Sequence, residues 1–396
     1  MIYADYMATT PLDRAVQAEM VDSFADFGNP SSLHAFGEAA SARVEAARQA
    51  VAESIGALLP QSIIFTSGAT EANNLALQGV AHFHARRGRH IVTMATEHKA
   101  ILDVCQALNA QEFDMTYLQP DTEGRLDPEV LRAALRSDTI LVSIMHVNNE
   151  TGVIQDIKTL SSIAHGVGAV FHTDMAQSIG KIAVDVQDLG VDLASFCAHK
   201  TYGPKGVGAL YVRRQPRLRL EPLLYGGGHE QGLRSGTLAT HQIVGMGAAF
   251  RMAEAHLSEE LTRITALRDQ LWAGLSALGG VERHGSATYC VPQVLNVRFL
   301  GVEGESLRVA LDPYVAVSSG SACNAVTSEP SHVLQALGLS RQAAHDAIRL
   351  SIGRFTTENE VNQIVQHFSE IVTALRAASP VWDRIQETLR GRGIVS

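Results

Sequence analysis

Short apolar segments alternate with longer helical patterns along the first half of the chain, and this alternation constrains the fold more than any other feature. The segments are rich in Ile, Val, Leu and Phe, as strands that are buried on both faces should be. Strands are predicted at residues 62–66, 90–94, 139–146, 169–173, 193–197 and 208–213. Such alternation of strands and helices predicts an α/β fold with a mostly parallel sheet.

The helical patterns divide the chain into two parts. The pattern over residues 38–58 repeats apolar residues at helical spacing, and further helices are expected to begin near Glu71, His98, Asp127 and Ile157. Residues 242–278 read as one helix that leads into a smaller α+β unit. That unit is predicted to hold strands at 294–299 and 349–352 and a closing helix from Glu358. We expect a large domain of residues 15–255 and a small domain of residues 1–14 and 256–396.

Composition narrows the class of protein. With 396 residues and 46% hydrophobic content, the chain can bury a large core, most simply as two domains. Its net charge of −9 argues against direct binding of nucleic acid. The four cysteines form no CxxC pair and no zinc-ligand spacing, so neither a disulfide framework nor a metal site is expected. We also see no signal peptide and no membrane span, so a reducing cytoplasm is the expected location.

A polar cluster comes just after each of five predicted strands. They cover residues 67–70, 96–99, 148–150, 174–177 and 199–200. Ligands of open parallel sheets bind at the carboxyl ends of the strands. The sequence therefore predicts one site that gathers these five clusters.

Three residues of these clusters suit a cofactor that carries a carbonyl and a pyridine ring. Lys200 follows an apolar strand, where partial desolvation makes an amine nucleophilic, although a surface lysine is the commoner reading of this segment alone. Asp174 could hold a proton on a pyridine nitrogen, or it could cap a helix. Gln177 follows three residues later and could donate to the phenolic oxygen of the cofactor.

Other residues suit a phosphate and an amino-acid substrate. The turn of small residues before Thr70 opens a helix whose free N–H groups could bind an anion, although an ordinary helix start fits it too. His98 could stack on a flat ring, and Asn149 could reach the substrate or the phenolic oxygen of the cofactor. Arg349 lies between apolar residues, where its guanidinium could bind a carboxylate with two hydrogen bonds or form a structural ion pair.

Cys323 differs from the other three cysteines in its surroundings. It lies among small and polar residues at 318–325, which indicates an accessible loop where a thiolate could act as a nucleophile. Free cysteines are more often buried apolar residues, and we expect this of Cys105 and Cys290.

Together these segments resemble a cysteine desulfurase of the NifS/IscS type, a class V member of the fold-type I pyridoxal-phosphate enzymes. The resemblance runs from about residue 2 to residue 383. The motifs that carry it are Asp5-Tyr6 with 8–11, then 27–32, 65–71, 96–100, 146–151, His199-Lys200, 226–237 and 318–323. It implies a large domain with a mostly parallel seven-stranded sheet and a smaller α+β C-terminal domain.

The resemblance also assigns roles within the site. It implies that Lys200 holds pyridoxal 5'-phosphate through a Schiff base, with Asp174 on the pyridine nitrogen and Gln177 on the phenolic oxygen. The other implied roles are ring stacking by His98, phosphate binding by Thr70 and His199, substrate binding by Asn149 and Arg349, and contact of Thr237 with the phosphate of a neighbouring subunit in a homodimer.

The implied reaction converts L-cysteine into L-alanine. Lys200 would move the Cα proton, and Cys323 would keep the sulfur as a persulfide for transfer to an acceptor protein. Iron–sulfur cluster assembly, tRNA thiolation and DNA phosphorothioation all remain open as destinations. The alternatives are an aminotransferase or lyase acting on another amino acid, or a non-catalytic scaffold of a sulfur-transfer complex.

The sequence departs from the family pattern at four places. Cys197 stands where a serine usually helps to hold the phosphate, and a thiol is a weak donor, so we expect weaker cofactor binding. Met175-Ala176 and Asn324-Ala325 also differ from the usual residues. The tail at 383–396 does not match the ending that engages the iron–sulfur scaffold, which leaves the acceptor open.

Overall fold

The computed structural model describes residues 1–319 and 329–391. The strands are β1 (Ile2–Tyr3), β2 (Ile63–Thr66), β3 (His90–Met94), β4 (Asp114–Leu118), β5 (Thr139–Ser143), β6 (Val170–Asp174), β7 (Leu193–Cys197), β8 (Gly208–Val212), β9 (Val281–His284), β10 (Val294–Phe299), β11 (Val315–Ala316), β12 (Ser318–Ser319) and β13 (Ile348–Ser351).

The helices include every one that the sequence predicted. They are α1 (Arg14–Ser23), α2 (Ala35–Ser54), α3 (Ala69–His84), α4 (Lys99–Asn109), α5 (Pro128–Ala134), α6 (Ile157–His165), α7 (Thr240–Ser276), α8 (Gly304–Leu311), α9 (His332–Ala336), α10 (Arg341–His345), α11 (Glu358–Ala377) and α12 (Trp382–Gly391). None of these helices is both long and apolar enough to cross a bilayer.

The main sheet has seven strands in the order β2-β8-β7-β6-β5-β3-β4. Neighbouring strands are parallel except around β8, which runs antiparallel to both β2 and β7. The carboxyl ends of β2, β3, β5, β6 and β7 therefore lie at one edge of the sheet. This confirms the predicted mostly parallel sheet and the common edge of the five polar clusters.

Successive residues of each strand face opposite sides of the sheet and pack against different helices. On one side, Phe65 and Val92 join a core cluster with residues of α2, α5, α6 and α7. On the other side, Ile64 and Ile91 join a cluster with residues of α3 and α4. Both faces are thus covered, which explains why the inner strands carry apolar residues on both sides.

Side-chain caps set the first residues of several helices. Asp127 accepts a hydrogen bond from the N–H of Glu129 and is followed by Pro128, which suits the first helical position of α5. Asp156 caps α6 through the N–H of Thr159. Thr357 and Glu360 form a reciprocal capping box at the start of α11.

A second group of elements has a core of its own. Its sheet has the order β12-β13-β10-β9 with antiparallel neighbours, and β1 pairs with β11 in parallel. Helix α7 joins the two groups: Ala253 still packs in the core of the main sheet, whereas Ile264 packs in the second core with Ile2 and Ala4. We propose a domain division near residue 255 on this ground, with residues 1–14 in the small domain.

Candidate active site

A cavity of about 540 Å³ lies at the carboxyl edge of the main sheet. The structure brings eight of the ten predicted site residues to its walls. They are Thr70, His98, Asn149, Asp174, Gln177, His199, Lys200 and Arg349. The remaining two are Thr237, which is exposed and does not line the cavity of its own chain, and Cys323, which lies outside the described residues.

Asp174 is the last residue of β6, and its carboxylate is buried. The amide nitrogen of Asn73 donates to its Oδ2 at 2.7 Å, and the N–H of Ala176 donates to its Oδ1 at 2.9 Å. Both donors are neutral, and no lysine, arginine or histidine in the described part of the chain forms an ion pair with it. A buried carboxylate without a cationic partner suits a protonated ring nitrogen.

Gln177 lies in the turn after β6 and is buried. Its Nε2 donates to the carbonyl of Met7 at 2.8 Å, while its Oε1 has no hydrogen-bond partner among the described residues. An amide nitrogen carries two N–H donors, so one remains for a ligand in the cavity. The bond to a phenolic oxygen stays a prediction.

His199 and Lys200 follow β7. The Nδ1 of His199 lies 3.1 Å from the hydroxyl of Thr9. Burial, aided by the charges of Lys200 and Lys205, lowers the pKa of His199 to about 4, so its ring is neutral at neutral pH. A neutral imidazole can donate a hydrogen bond to a phosphate without adding charge.

Helix α3 points its first turn into the cavity. Its N-cap is Gly68, which has no side chain to bond the first N–H groups, so these groups and the exposed Thr70 suit an anion. The glycine at 208 permits the close approach of this turn to β8, because a Cβ there would lie 2.6 Å from the backbone of Gly68. Glu71 closes the turn by accepting from the N–H of Ser67 and pairing with Arg234.

Cys197 lines the cavity near the carbonyl of Ala176, with a sulfur–oxygen distance of 4.0 Å. Burial raises the pKa of the Cys197 thiol, although the charge of Lys200 opposes the shift. The thiol therefore stays protonated and offers only a weak donor.

His98 ends the segment after β3 and caps α4, since its Nδ1 accepts from the N–H of Ala100 at 3.1 Å. Burial lowers the pKa of His98, and the charge of Lys200 lowers it further. The imidazole is therefore neutral, with its proton on Nε2. An uncharged ring in this place suits stacking on a flat cofactor.

Arg349 in β13 is almost fully buried. Its Nη2 donates to Oδ1 of Asp5 at 2.8 Å, and its Nη1 donates to the carbonyl of Asn149 at 2.8 Å. Its Nε is buried without a partner among the described residues. The ion pair that the sequence left open is present, and the same guanidinium lines the cavity.

Glu150 also lines the cavity. It belongs to the predicted polar cluster at 148–150, but the sequence analysis assigned it no role. Its Oε2 accepts from the hydroxyl of Ser331 at 2.5 Å. Burial raises the pKa of Glu150 to about 7, against the effects of Ser331 and Arg349.

Sequence reasoning missed the contacts of the N-terminal segment. Asp5 pairs with Arg349, Met7 accepts from Gln177, and Thr9 bonds His199. The resemblance motif included this segment, but a motif alone does not say what its residues touch. Asn73 was missed too, because an amide inside a helical pattern carries no signal of its own.

Comparison with known proteins places the chain in a family. The family model "Aminotransferase class-V" matches residues 2–364. The cysteine desulfurase IscS of Pseudomonas aeruginosa is 52% identical over 390 residues, which cover 98% of this chain and 96% of that protein. The chain belongs to the cysteine desulfurase family. It is therefore an enzyme that depends on pyridoxal 5'-phosphate, as the sequence resemblance predicted.

Solved structures agree with this assignment. A NifS-like protein superposes with a TM-score of 0.88 at 38% identity and covers 94% of this desulfurase and 99% of its own chain. A structure described as SspA in complex with cysteine has a TM-score of 0.81 at 37% identity, covering 90% and 100% respectively. The fold-type I architecture is thereby confirmed.

The residues of this chain fit the cofactor. Asp174 supplies a buried negative charge with no cationic partner among the described residues, Gln177 supplies the second N–H of its amide nitrogen, and α3 supplies free N–H groups at the edge of the same cavity. Lys200 reaches the cavity between them.

Proposed function

We propose that this desulfurase converts L-cysteine into L-alanine and that Cys323 receives the sulfur as a persulfide. The observation that carries the proposal is the convergence of Lys200, Asp174 and Arg349 on one cavity. An amine, a buried carboxylate and a guanidinium together match a pyridine cofactor and the carboxylate of an amino acid.

The proposal gives most of the predicted site residues a definite task. Bound pyridoxal 5'-phosphate supplies an electron sink for the carbon atoms of the substrate. Asp174 keeps the proton on the ring nitrogen, Lys200 holds the cofactor and moves the Cα proton, and the neutral ring of His98 stacks on the cofactor. Thr70, His199 and the first N–H groups of α3 hold the phosphate.

Arg349 and Asn149 bind the substrate. The guanidinium already donates to Asp5 and to the carbonyl of Asn149, and its Nε remains for the substrate carboxylate. These two contacts hold the guanidinium in one orientation before substrate arrives, which reduces the entropy lost on binding.

The sulfur step requires a thiolate. Cys323 attacks the substrate sulfur, so that an S–S bond forms while the bond between sulfur and Cβ breaks. The electron pair stays with the carbon fragment, which takes up a proton and leaves as alanine. The Cys323 persulfide then passes its terminal sulfur to an acceptor protein.

The test compares Cys323→Ala with Cys290→Ala, a free and partly exposed cysteine outside the cavity. Alanine formation from L-cysteine and protein persulfide are both measured. We expect both to be lost in Cys323→Ala and kept in Cys290→Ala. Unchanged alanine formation in Cys323→Ala would show that the chain is a lyase of another kind.

A second measurement tests the cofactor lysine. The purified protein should carry the visible absorbance of pyridoxal phosphate bound to an amine, and Lys200→Ala should lose it. If Lys200→Ala kept the band, another lysine would be the one that binds the cofactor.

The proposal includes a homodimer. Thr237 is exposed and away from the cavity of its own chain, which suits contact with the phosphate in a second copy. Large apolar side chains are exposed between α1 and the start of α2, namely Phe24, Phe27, Leu33 and Phe36. Such a patch favours burial against a partner.

Sedimentation of the holoenzyme should therefore give twice the mass of one chain. Thr237→Ala should weaken cofactor binding, whereas Thr262→Ala on the exposed part of α7 should not. If a monomeric form of the protein bound the cofactor as tightly as the wild type does, this result would contradict the proposed dimer.

The acceptor can be identified by labelling. The enzyme is loaded with sulfur-35 from labelled cysteine, bound partners are pulled down, and the labelled species is identified. A scaffold for iron–sulfur clusters, a tRNA-thiolation protein and a DNA-phosphorothioation protein are the expected classes. We place the enzyme in a reducing cytoplasm, which the three free thiols of the described residues support.

A further inference from the structure

Lys181 is a buried lysine whose charge the proposed reaction has not used. It lies in the turn that follows Asp174 and also carries Gln177, and only 5% of its surface is exposed. Its Nζ donates to the carbonyl of Lys200 at 3.1 Å. Within the described ranges 1–319 and 329–391 it forms no ion pair with a carboxylate.

Burial of an ammonium group without a counter-charge costs stability. A leucine or methionine could fill the same space without that cost. A role that needs its charge would explain the lysine, and its one acceptor among the described residues is the peptide carbonyl of Lys200, the residue proposed to hold the cofactor.

The charged and titratable groups around Lys181 come from the last residue of β7 and the segment that follows it. They are Lys200, which repels its charge, Cys197, whose thiolate form would attract it, and His199, whose own pKa is lowered in part by Lys181. Burial, together with the charge of Lys200, lowers the pKa of Lys181 to about 8. The group still carries its proton over most of the neutral range.

We propose that Lys181 is a positioning residue for Lys200: it anchors the peptide carbonyl of Lys200, and its positive charge disfavours a proton on the nitrogen that joins Lys200 to the cofactor. The inference rests on the proposed role of Lys200 as the cofactor lysine. An uncharged amine is the form that attacks a carbonyl and accepts a proton, so the charge of Lys181 favours both tasks of Lys200.

The two parts of this role have separate physical causes. The hydrogen bond from Nζ fixes the backbone from which the Lys200 side chain extends, which limits the positions its amine can occupy. The positive charge acts over a longer range, because a like charge nearby raises the free energy of a proton on the nitrogen that joins Lys200 to the cofactor. When Lys200 bonds the cofactor without a proton, the repulsion on Lys181 disappears and Lys181 becomes more stable as a cation.

The experiment titrates the visible absorbance of the cofactor-loaded protein against pH, since this absorbance reports the protonation of the Lys200 nitrogen. Three variants separate the two parts. Lys181→Met removes the bond and the charge, Lys181→Gln keeps a donor without charge, and Lys181→Arg keeps the charge. Lys158→Met, at an exposed ion pair with Asp188, is the matched control.

We expect the pKa seen in the titration to rise by about one unit in Lys181→Met and Lys181→Gln. Lys181→Arg and Lys158→Met should titrate like the wild type. If Lys181→Met does not fold, Lys181→Gln alone decides: a titration that matches the wild type overturns the inference. A shift in Lys158→Met equal to that of Lys181→Gln would also overturn it.

Failure of the proposed function looks different. In that case the wild type would have no visible band, or Lys200→Ala would keep the band. A wild-type band that depends on Lys200 but does not respond to Lys181 leaves the proposed function standing and removes only the role of Lys181.

Discussion

The cavity joins two groups of residues that are held in different ways. The sheet-edge set (Asp174, Gln177, His199 and Lys200) follows the neighbouring strands β6 and β7, whose ladder pairs Asp174 with Ser195. The Arg349 cluster (Asp5, Asn149, Glu150 and Arg349) joins parts of the chain up to 344 residues apart through side-chain contacts.

This difference predicts how substitutions in each set should affect the enzyme. Backbone hydrogen bonds hold the sheet-edge set, so its substitutions should change chemistry with little change of position. Charges and hydrogen bonds hold the Arg349 cluster, so its substitutions and the pH should change binding and stability together.

The largest effect is expected for Asp174→Asn. Loss of the charge removes the support of the ring proton, and kcat per bound cofactor should fall roughly 10²–10³-fold. Asp192→Asn is the control, because Asp192 is equally buried but pairs with Arg213 and His165 outside the cavity. It should lower the melting temperature and leave kcat unchanged. Equal losses of kcat in both variants would mean that Asp174 is structural.

Glu150 should make the enzyme less stable as the pH rises. Its pKa is about 7 in the folded state against an ordinary value of 4.5, so the folded state binds the proton more tightly. Its stabilising effect is full below pH 4.5 and is lost as the pH rises through 7, by up to about 3 kcal/mol.

Urea unfolding of the wild type and Glu150→Gln at several pH values measures this loss. The wild type should lose stability relative to Glu150→Gln between pH 5 and 8, whereas the exposed Glu129→Gln should follow the wild type. Parallel curves for the wild type and Glu150→Gln would refute the assignment.

Arg349→Lys should weaken substrate binding. One ammonium cannot bond Asp5, the Asn149 carbonyl and a substrate carboxylate as a guanidinium can, so KM for L-cysteine should rise about tenfold. Arg354→Lys alters a partly buried arginine, paired with Asp13 and Glu260 away from the cavity, and should leave KM unchanged. An unchanged KM in Arg349→Lys would assign Arg349 to structure alone.

The smallest effect is expected for a substitution of Cys197, the last residue of β7. Cys197→Ser restores a good hydrogen-bond donor in the cavity, and the dissociation constant of pyridoxal phosphate should fall about three- to tenfold. Cys105→Ser, in the core between α4 and the sheet, should lower stability without changing cofactor affinity. Equal affinity in the wild type and Cys197→Ser would show that the thiol does not limit binding.

The sequence predicted regular structure well where apolar runs are unbroken. The bounds of β3, β7 and β10 agree with the predictions of 90–94, 193–197 and 294–299. Strand β4 was missed, because it is a half-exposed edge strand whose sequence Asp-Met-Thr-Tyr-Leu lacks an apolar run. The predicted strand at 139–146 was too long, since β5 ends at Ser143 and the apolar Ile144 and Met145 belong to the turn into the cavity.

The site was predictable as far as it follows from strand ends and family motifs. Eight predicted residues share one cavity for that reason. The bonds of Asn73 to Asp174 and of Asp5 to Arg349 were not predictable, since they join residues 101 and 344 positions apart by side chains alone. Lys181 was hidden because its partner is a backbone carbonyl, which no residue type reveals.

Helix α7 has a consequence for how the molecule loses its structure. Its 37 residues span about 55 Å, and its two ends are anchored in different cores. If one core unfolded alone, half of α7 would be exposed to water without tertiary contacts. A helical segment of that kind is only marginally stable by itself. The two cores should therefore unfold in one cooperative transition. Backbone amides in the two halves of α7 should then exchange hydrogen equally slowly.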